Sequence, residues 1–542
     1  MTAPAPRPIR AMFVPAVFVA LALVSLLLQW AFTGALSSGL GAYSDEPAHY
    51  VTGLMLRDYA ASAATSDPLT FAREFYDRYP KVALGNWPPG FYLLQLPWLW
   101  TVGDSPRAVM VLMALIAAAT AWCLALALRR VVPPGVAVCG ALVWLTLPLS
   151  LAFGGSVMTE MPLALAMAVM LACWPAVAAD PRVLGGALLG GAMGWALLVK
   201  SSAASLLAVP ALVGGRLLDP RRVRAAVLTI GVAVIIGGPW AVIFREQARA
   251  GWLYPSPTLA FTWPAIPFYV DALRGCVGWS VVAGAALWLV SAVRLRGSIS
   301  ALERACVVAS AASVALPCVV PAGLDIRHVL PATVPVTALA MIGGWRAWQG
   351  ARWPVMRAMT AAGLVVVALT EAWAGLPTRR IEGYADMVSA IGVACGPGCV
   401  VLVVSDPEGE GAFVAEAARV RRPVPMIVLR GSKVLSASDW AGRNYRPLVR
   451  SAGEGRRLLK NRYVQIVVVD TAAVSTPDHA IARGALLAPG DRALTSVATV
   501  RVVSHPGARQ MRSGALVAYD VGAASSPGPA GRLPKQQAAP AR

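Results

Sequence analysis

The chain has 542 residues, of which 57% are hydrophobic and 14% are charged. Soluble proteins average about 25% charged residues. Here the apolar residues form long uninterrupted runs, so the composition excludes a disordered chain and a simple cytosolic enzyme. The 47 Lys and Arg residues exceed the 27 Asp and Glu residues, which leaves a net charge of +20. In a membrane protein such an excess sets orientation, so we expect no nucleic acid partner.

Apolar segments long enough to cross a bilayer recur as far as residue 376. We expect about eleven transmembrane helices, each bounded by charge, proline or glycine. They lie near residues 12–35, 107–128, 135–153, 161–178, 184–199, 201–217, 225–244, 277–293, 304–320, 328–345 and 357–376. The first is expected to be retained, because it is longer than the apolar core of a signal peptide.

The arginines predict how these spans are oriented. With the N-terminus inside, the loops assigned to the inside are rich in arginine, and their acids are only Asp180, Asp219 and Glu303. As far as Arg380, the segments assigned to the outside hold basic and acidic residues in equal number. The positive-inside rule therefore predicts a cytoplasmic N-terminus. Two long outside segments follow, a first outer loop at 36–106 and a second at 245–275.

The first polar motif follows the first span, at residues 43–50 (YSDEPAHY). Pro47 suits the first turn of a helix, which places Ser44 or Asp45 near the N-cap. His49 follows Glu46 by three residues and Asp45 by four, so one helical face carries all three. Such a face suits a divalent cation, or a carboxylate base aimed at a hydroxyl. The alternative is that Asp45 caps the helix and Glu46 favours its dipole.

The remainder of the first outer loop contains Lys81 and then Trp87 before a pair of prolines at 88–89. The double proline excludes helix at that point and predicts an extended turn. The apolar stretch at 90–102 is too short and too flanked by proline to span, so we expect it at the membrane interface.

Three further charged positions are expected on the outer side. Glu160 begins a span where a carboxylate facing lipid is costly, so it either caps the helix or faces a polar cavity shared with the first motif. Arg327 and His328 lie between two spans at the depth of lipid headgroups. Lys200 lies at the outer end of a hairpin, where the alternative is a snorkelling anchor.

From residue 380 to 522 the composition is that of a water-soluble domain, with apolar strand-like runs alternating with helix-like stretches. We expect a small α/β domain on the outer side. Cys395 and Cys399 enclose a short loop and are predicted to form a disulfide, because the compartment is oxidising and a metal site would lack further ligands. Residues 523–542 are rich in proline, alanine, serine and glycine and are expected to be a disordered tail.

Over roughly the first 345 residues these motifs resemble the GT-C superfamily of membrane glycosyltransferases, specifically the clan of protein O-mannosyltransferases and the aminoarabinose transferase of lipid A. No single motif is specific, but their order and topological side match. The motifs are the Asp45-Glu46 pair with His49, residues 88–94 (PPGFYLL), residues 158–162 (MTEMP), the glycine-rich span ending at Lys200, and residues 327–331 (RHVLP).

The resemblance implies a GT-C fold in residues 1–379 and inverting transfer of a sugar, hexose or pentose, from a polyprenyl phosphate to an acceptor hydroxyl of a lipid, glycan or protein. It implies that Asp45 is the catalytic base, with Glu46 and Glu160 organising the acceptor or a metal.

By the same resemblance, Arg327, His328 and Lys200 neutralise the lipid phosphate. His49, Tyr50, Lys81 and Trp87 are the expected substrate contacts, although several relatives have lysine where this chain has Trp87.

The expected setting is a bacterial inner membrane, with the C-terminal domain in the periplasm and membrane lipids around the spans. The expected cofactor is at most a divalent cation at Asp45, Glu46 and His49. The main alternative is a flippase for polyprenyl-linked glycans, which would need polar residues along the spans and internal repeats. The spans show few charges and no repeat.

Overall fold

The apolar segments fold as helices, and strands occur only in the C-terminal third of what the structure describes. The structure is a computed structural model that describes residues 13–62, 66–82, 85, 87–180, 182–213, 220–246, 264–294, 299–319, 324–350, 370, 381–396, 398–420, 425–437, 446–471, 477, 480–481, 484, 495–504 and 513–521. The expected tail at 523–542 and most of the second outer loop lie outside these residues.

Two compact units make up the chain. The first unit comprises Met1–Thr33, Gly85–Phe91 and Met110–Leu376. The second comprises Gly34–Leu84, Tyr92–Val109 and Pro377–Arg542. The second unit therefore joins most of the first outer loop to the C-terminal residues, whereas the change in composition alone suggests a division near residue 380.

Thirteen α-helices precede the first strand in the part of the chain that is described. The first five are α1 (Phe13–Leu28), α2 (Glu46–Ala61), α3 (Pro68–Arg78), α4 (Gly90–Thr101) and α5 (Pro106–Leu128). The others are α6 (Pro134–Thr146), α7 (Pro148–Gly154), α8 (Glu160–Ala179), α9 (Val183–Val199), α10 (Pro220–Ile243), α11 (Ala265–Arg294), α12 (Ala301–Val319) and α13 (Leu330–Gly350). A 3-10 helix at Ser201–Leu207 follows α9, and another at Ile326–Val329 precedes α13.

Seven helical segments among the described residues are long and apolar enough to cross a membrane, or eight if the bent pair α6–α7 counts as one span. The polytopic helical fold is confirmed, but the count of about eleven is not. Two of the expected spans are shorter helical segments, Val183–Val199 and Ser201–Val213. The expected span at 357–376 lies outside the described residues except for residue 370.

The expected span at 135–153 is broken by proline. α6 and α7 meet at an angle of 69°, and Leu147 between them has φ −59° and ψ 138°. A residue that precedes proline avoids the helical conformation, because the proline ring clashes with its backbone, so Pro148 forces the break. The bend is followed by the segment that leads to Glu160.

Close packing of α9 on α10 explains the glycines of α9. A Cβ on Gly190 would lie 2.7 Å from the carbonyl oxygen of Thr229, and one on Gly194 would lie 2.6 Å from Cβ of Ile236. Gly186, Gly190 and Gly194 recur every four residues, so they share one face. Small residues at this spacing let two helix backbones approach within a membrane.

A buried ion pair connects α11, α12 and α13 in the first unit. Glu303 is fully buried, and its Oε1 lies 2.7 Å from Nη1 of Arg346 and accepts a hydrogen bond from Nε1 of Trp288 at 2.8 Å. Nη2 of the arginine donates to Oε2 at 3.0 Å, so the pair is bidentate. These contacts hold three helices in one arrangement.

The second unit contains an α/β sheet. Its strands are β1 (Ile381–Glu382), β2 (Val400–Val404), β3 (Ile427–Arg430), β6 (Ile466–Asp470), β7 (Thr495–Ser504) and β8 (Ser513–Asp520), in the spatial order β1-β7-β8-β6-β2-β3. A two-stranded sheet pairs β4 (Ser436–Ala437) with β5 (Arg446–Pro447). Its helices are α14 (Tyr384–Ala394), α15 (Pro407–Arg419), α16 (Gly431–Val434) and α17 (Ala452–Asn461).

Strands β3, β2 and β6 are parallel, and β8 and β7 continue the sheet antiparallel. Every residue of β2 and β6 is buried, as expected for parallel strands covered on both faces. The prediction of an α/β domain is confirmed. So is the disulfide, because Cys395 and Cys399 are bonded with their Cα atoms 5.9 Å apart.

Candidate functional site

Glu160, Lys200 and Arg327 meet in the first unit, and with His328 we call them the cationic cluster. Glu160 is the first residue of α8, is 1% exposed, and its Oε1 lies 2.6 Å from Nζ of Lys200 and 3.7 Å from Nε of Arg327. The N-cap of α8 is Thr159, which makes no side-chain capping bond. The carboxylate of Glu160 is therefore held by an ion pair with these two cations.

Each cation of the cluster is positioned by the end of a helix. Lys200 follows the last residue of α9 in an extended conformation. Arg327 lies in the 3-10 turn before α13, where Oδ1 of Asp325 accepts its backbone N–H at 3.1 Å and Oδ2 lies 3.2 Å from its Nε. Within the cluster, Lys200 and Arg327 carry two positive charges against the one carboxylate of Glu160, and Asp325 places a second carboxylate beside Arg327.

A cavity of about 100 Å³ adjoins this cluster. Its polar lining is Lys200, Ser201, Ser202, Ser205, Ser313 and His328. Oγ of Ser313 is buried and has no hydrogen-bond partner among the described residues, and Nδ1 of His328 lies 3.0 Å from the hydroxyl of Tyr269. Hydroxyls, an ammonium and an imidazole can all donate hydrogen bonds to an anion.

The turn at Pro88–Pro89 contacts the same helix that carries Lys200. A Cβ on Gly90 would lie 2.8 Å from the carbonyl oxygen of Leu198, and Nε1 of Trp195 donates to the carbonyl oxygen of Gly90 at 3.3 Å. Only glycine permits this approach. Trp87, a predicted substrate contact, is half-buried just before this turn.

The polar motif of the first loop lies in the second unit. Asp45 is the N-cap of α2, one of the two predicted positions, but its side chain makes no capping hydrogen bond. Glu46 is fully buried, and its Oε2 accepts the backbone N–H groups of Gly41 and Ala42 at 2.9 and 3.0 Å. Glu46 thus closes the turn before the helix, while the carboxylate of Asp45 is not used for capping.

His49 and Tyr50, both predicted substrate contacts, are buried in the second unit. Nδ1 of His49 lies 2.9 Å from the hydroxyl of Tyr92, and the hydroxyl of Tyr50 donates to the carbonyl oxygen of Asp104. Loss of solvent raises the pKa of both tyrosines, and Asp45 raises that of Tyr92 further. Their burial favours packing over direct contact with a substrate.

Lys81 lies near Asp45 in the second unit. Burial and then the positive charge of Arg430 lower the pKa of Lys81 to about 7, although Asp45, Glu410 and Glu408 act in the opposite direction. Its side chain is half-buried, and Nζ donates to the carbonyl oxygen of Pro407 at 3.4 Å.

Asp45, Glu46 and His49 are not gathered as ligands of one metal ion. No group of three or more His, Cys, Asp or Glu side chains among the described residues is arranged to hold a metal ion. Glu46 and His49 are held by the contacts described above, with backbone amides and with Tyr92. The candidate cation site that the motif suggests is therefore not formed by these three side chains, and we assign no step to a metal.

Solved structures share this architecture. ArnT from Cupriavidus metallidurans bound to undecaprenyl phosphate aligns with a TM-score of 0.59 at 16% identity, over 94% of this chain and 98% of that chain. AglB, the oligosaccharyltransferase of Archaeoglobus fulgidus, in complex with an inhibitory peptide and a dolichol-phosphate, aligns with a TM-score of 0.55 at 13% identity, over 84% and 69%. The arabinofuranosyltransferase AftD from Mycobacteria aligns with a TM-score of 0.53 at 17% identity, over 94% and 40%.

The chain has the GT-C fold. At these identities the likeness establishes the fold and leaves the substrates to be argued from the chain itself. No protein-family model matches the sequence, and no curated protein matches it either.

Sequence reasoning missed several residues of this chain. Ser313 lines the cavity beside Lys200, and its signal was a hydroxyl inside an apolar span, which is costly unless it finds a partner. Tyr92 belongs to the motif at 88–94, but the sequence predicted no role for it. Glu410 and Arg430 had no sequence signal, because what distinguishes them is contact with residues far away in the chain.

Proposed function

We propose that this protein is an inverting glycosyltransferase that moves a sugar from a polyprenyl phosphate to an acceptor hydroxyl. The observation that carries the proposal is the cationic cluster beside a hydroxyl-lined cavity, within a GT-C fold. The solved structures of ArnT and AglB contain undecaprenyl phosphate and a dolichol-phosphate, so the same class of lipid is the proposed donor carrier here.

In the proposed reaction Lys200, Arg327 and His328 bind the lipid phosphate. The ammonium of Lys200 and the guanidinium of Arg327 stabilise the negative charge that grows on the phosphate as the bond to the sugar breaks. Glu160 organises these two cations, and the phosphate competes with it for their donors. His328 contributes a further hydrogen bond, and its protonated form adds positive charge.

The proposed base is Asp45. The bond between the anomeric carbon and the phosphate oxygen breaks, and the acceptor oxygen forms a new bond to the opposite face of that carbon. Asp45 takes the proton of the acceptor hydroxyl as this bond forms. The products are the inverted glycoside and free polyprenyl phosphate, and Glu46 keeps the loop around Asp45 closed.

The proposed setting is the outer face of a bacterial inner membrane, with the N-terminus in the cytoplasm and the α/β domain in the periplasm. The loops assigned to the inside are arginine-rich, which supports this orientation. The disulfide supports an oxidising compartment for the domain that carries it. The acceptor is a lipid, glycan or protein that carries a hydroxyl at that face.

The test is transfer by the purified protein in vesicles. Undecaprenyl phosphate carrying radiolabelled arabinose or mannose is the donor, a washed envelope fraction is the acceptor, and release of undecaprenyl phosphate is measured together with label in the acceptor. Asp45→Asn should lower the transfer rate by about 10³-fold or more, because it removes the base without changing the shape of the side chain.

Asp67→Asn is the matched control. Asp67 is an exposed N-cap whose Oδ2 accepts the N–H of Thr70, and asparagine caps a helix as well as aspartate does. This variant should keep full activity. Movement of labelled lipid across the bilayer without release of undecaprenyl phosphate would identify a flippase and refute the transferase.

A further inference from the structure

Helix α15 of the second unit is buried along almost its whole length. Every residue from 409 to 418 is buried, although a helix that covers an open sheet normally exposes its far side. One side of α15 packs on β2 and β3, and α2 and α14 pack against it as well. The helix that begins at the candidate base thus forms part of the cover of α15.

The two helices approach each other closely at Gly411. A Cβ on Gly411 would lie 2.8 Å from Cγ of Pro47 and 3.0 Å from Cε of Lys81. Lysine is flexible and can move aside, but the ring of Pro47 is fixed to the backbone of the first turn of α2. A larger residue at 411 must therefore displace that turn, which starts at Asp45.

A buried charged cluster fixes the same end of α15. Glu410 is fully buried, and its carboxylate accepts hydrogen bonds from Nε of Arg430 and from the N–H of Ser432, both at 2.8 Å, and from Oγ of Ser432 at 2.5 Å. Nη1 of Arg430 also donates to the carbonyl oxygen of Pro80 at 3.5 Å.

Together with the bond from Lys81 to the carbonyl oxygen of Pro407, these contacts hold residues 80–81 of the first loop against the start of α15. A second attachment is the N–H of Gly39, which donates to the carbonyl oxygen of Ile381 at 3.0 Å.

The usual ligand position of such a domain is filled by its own side chains. In open α/β sheets, ligands bind at the carboxyl ends of parallel strands where the strand order reverses, here between β2 and β6. Oδ2 of the buried Asp470 accepts hydrogen bonds from Oγ of Ser405 at 2.6 Å and from the hydroxyl of Tyr384 at 2.8 Å. Because these side chains bond to one another at this crevice, we expect the domain to have a role other than binding a ligand there.

We propose that the start of α15 positions the candidate catalytic turn of the first loop, and that Gly411 is its central positioning residue. This rests on the proposed function, since it gives the C-terminal domain a part in the transfer reaction. Its physical basis is that a displacement of about 1 Å in a reacting group can lower a rate by about 10²-fold.

The experiment compares Gly411→Ala with Gly453→Ala in the full-length protein. Both glycines lie in helices of the second unit, but a Cβ at 453 would meet only Oγ of Ser451 at 4.0 Å. Gly411→Ala should lower kcat by about 10- to 100-fold and leave the KM for undecaprenyl phosphate-linked sugar nearly unchanged, because the donor-binding residues are untouched. Gly453→Ala should leave both constants unchanged.

Restoration by a second substitution separates positioning from general damage. Pro47→Ala removes Cγ, the atom that would lie 2.8 Å from a Cβ at position 411, so the double variant Gly411→Ala/Pro47→Ala should recover part of the activity lost by Gly411→Ala alone. Hydrogen exchange of the amides in residues 41–55 supplies a readout that does not need activity. Exchange there should increase in Gly411→Ala and return towards the native rate in the double variant.

Full activity and native exchange in Gly411→Ala would overturn the positioning role while leaving the transferase proposal intact. A uniform increase of exchange over the whole second unit would also overturn it, because that result means loss of the fold. If the unmodified protein transfers no sugar, the proposed function fails, and the exchange data still decide whether α15 holds the first loop.

Discussion

Nζ of Lys200 lies 2.6 Å from Oε1 of Glu160 and joins the end of one apolar helix to the start of another. Glu160 is 1% exposed, so its charge depends on this partner and on Arg327 at 3.7 Å. A buried carboxylate that loses its partner keeps the cost of desolvation without the compensating attraction. The pair is therefore both a structural contact and the centre of the proposed phosphate site, and these two roles are separable.

Lys200→Met should destabilise the protein by about 3–5 kcal/mol, because it leaves the buried carboxylate poorly compensated. Adding Glu160→Gln should restore part of that loss, so the double variant should unfold at a higher temperature than Lys200→Met alone. Both should transfer little sugar, since each lacks a cation for the phosphate. The measurements are thermal unfolding in detergent and the vesicle assay, and additive effects on stability would contradict the pairing.

Lys81 should titrate near neutral pH. Rates of reaction with acetic anhydride, followed peptide by peptide with mass spectrometry, should give Lys81 an apparent pKa of about 7. A lysine in a model peptide titrates at about 10.4. The exposed Lys460 supplies an internal comparison. A labelling curve for Lys81 that matches the model peptide would contradict its burial beside Arg430.

The same pKa predicts how Lys81 affects stability. Between pH 7 and about 10.4 the unfolded chain binds a proton at this position that the folded chain does not, so the contribution of Lys81 makes stability rise with pH across that window. Below pH 7 both states are protonated and the contribution is constant. Lys81→Met should remove this slope, which is measurable by denaturant unfolding at several pH values.

Two neighbouring glycines of α9 should respond oppositely to alanine. At Gly190 a Cβ would lie 2.7 Å from a backbone oxygen of α10, whereas at Gly191 it would meet nothing within 4 Å. Gly190→Ala should cost about 1–3 kcal/mol through overpacking. Gly191→Ala should be neutral or stabilise by up to about 1 kcal/mol. Thermal unfolding of both variants in one detergent checks this, and equal effects would contradict the close approach of the helices.

The disulfide should form in the cell. Alkylation of isolated membranes before reduction should leave Cys395 and Cys399 unlabelled, and labelling should follow only after reduction. Replacing both by serine should cost about 2 kcal/mol, because the closed loop is short. Labelling of both thiols without reductant would contradict an oxidising location for the α/β domain.

Much of the fold was predictable because the signals are local. The free energy of moving a run of apolar side chains into a bilayer depends on the residues of that run alone, so α5, α8 and α10 were located within a few residues. The expected span at 135–153 was interrupted, because Pro148 acts on the residue before it in a way that hydropathy does not register. The segment after Lys200 also departed from expectation. There the hydroxyl of Ser205 bonds to the carbonyl oxygen of Ser202, which competes with regular helix.

The candidate site was predictable in its residue types and less so in its contacts. Charged side chains at the ends of apolar helices cost free energy when they face lipid, so they indicate a polar site. On this ground the amino-acid sequence alone pointed to Glu160, Lys200 and Arg327. The contacts of the first motif depend on how the loop closes. The carboxylate of Glu46 accepts hydrogen bonds from two backbone amides, and His49 and Tyr50 are buried. The spacing of residues along a helix does not predict either of these contacts.

The sequence by itself determined that this is a polytopic membrane protein with a C-terminal α/β domain and a cystine loop, because hydropathy, alternation and cysteine spacing act over a few residues. Only the tertiary structure decided that Glu160 pairs with Lys200, and that the first loop and the C-terminal residues form one unit. Such pairings join segments far apart in the chain. They depend on the shapes of packed surfaces. At Gly411, for example, the absence of a side chain lets α15 approach Pro47 of α2 closely.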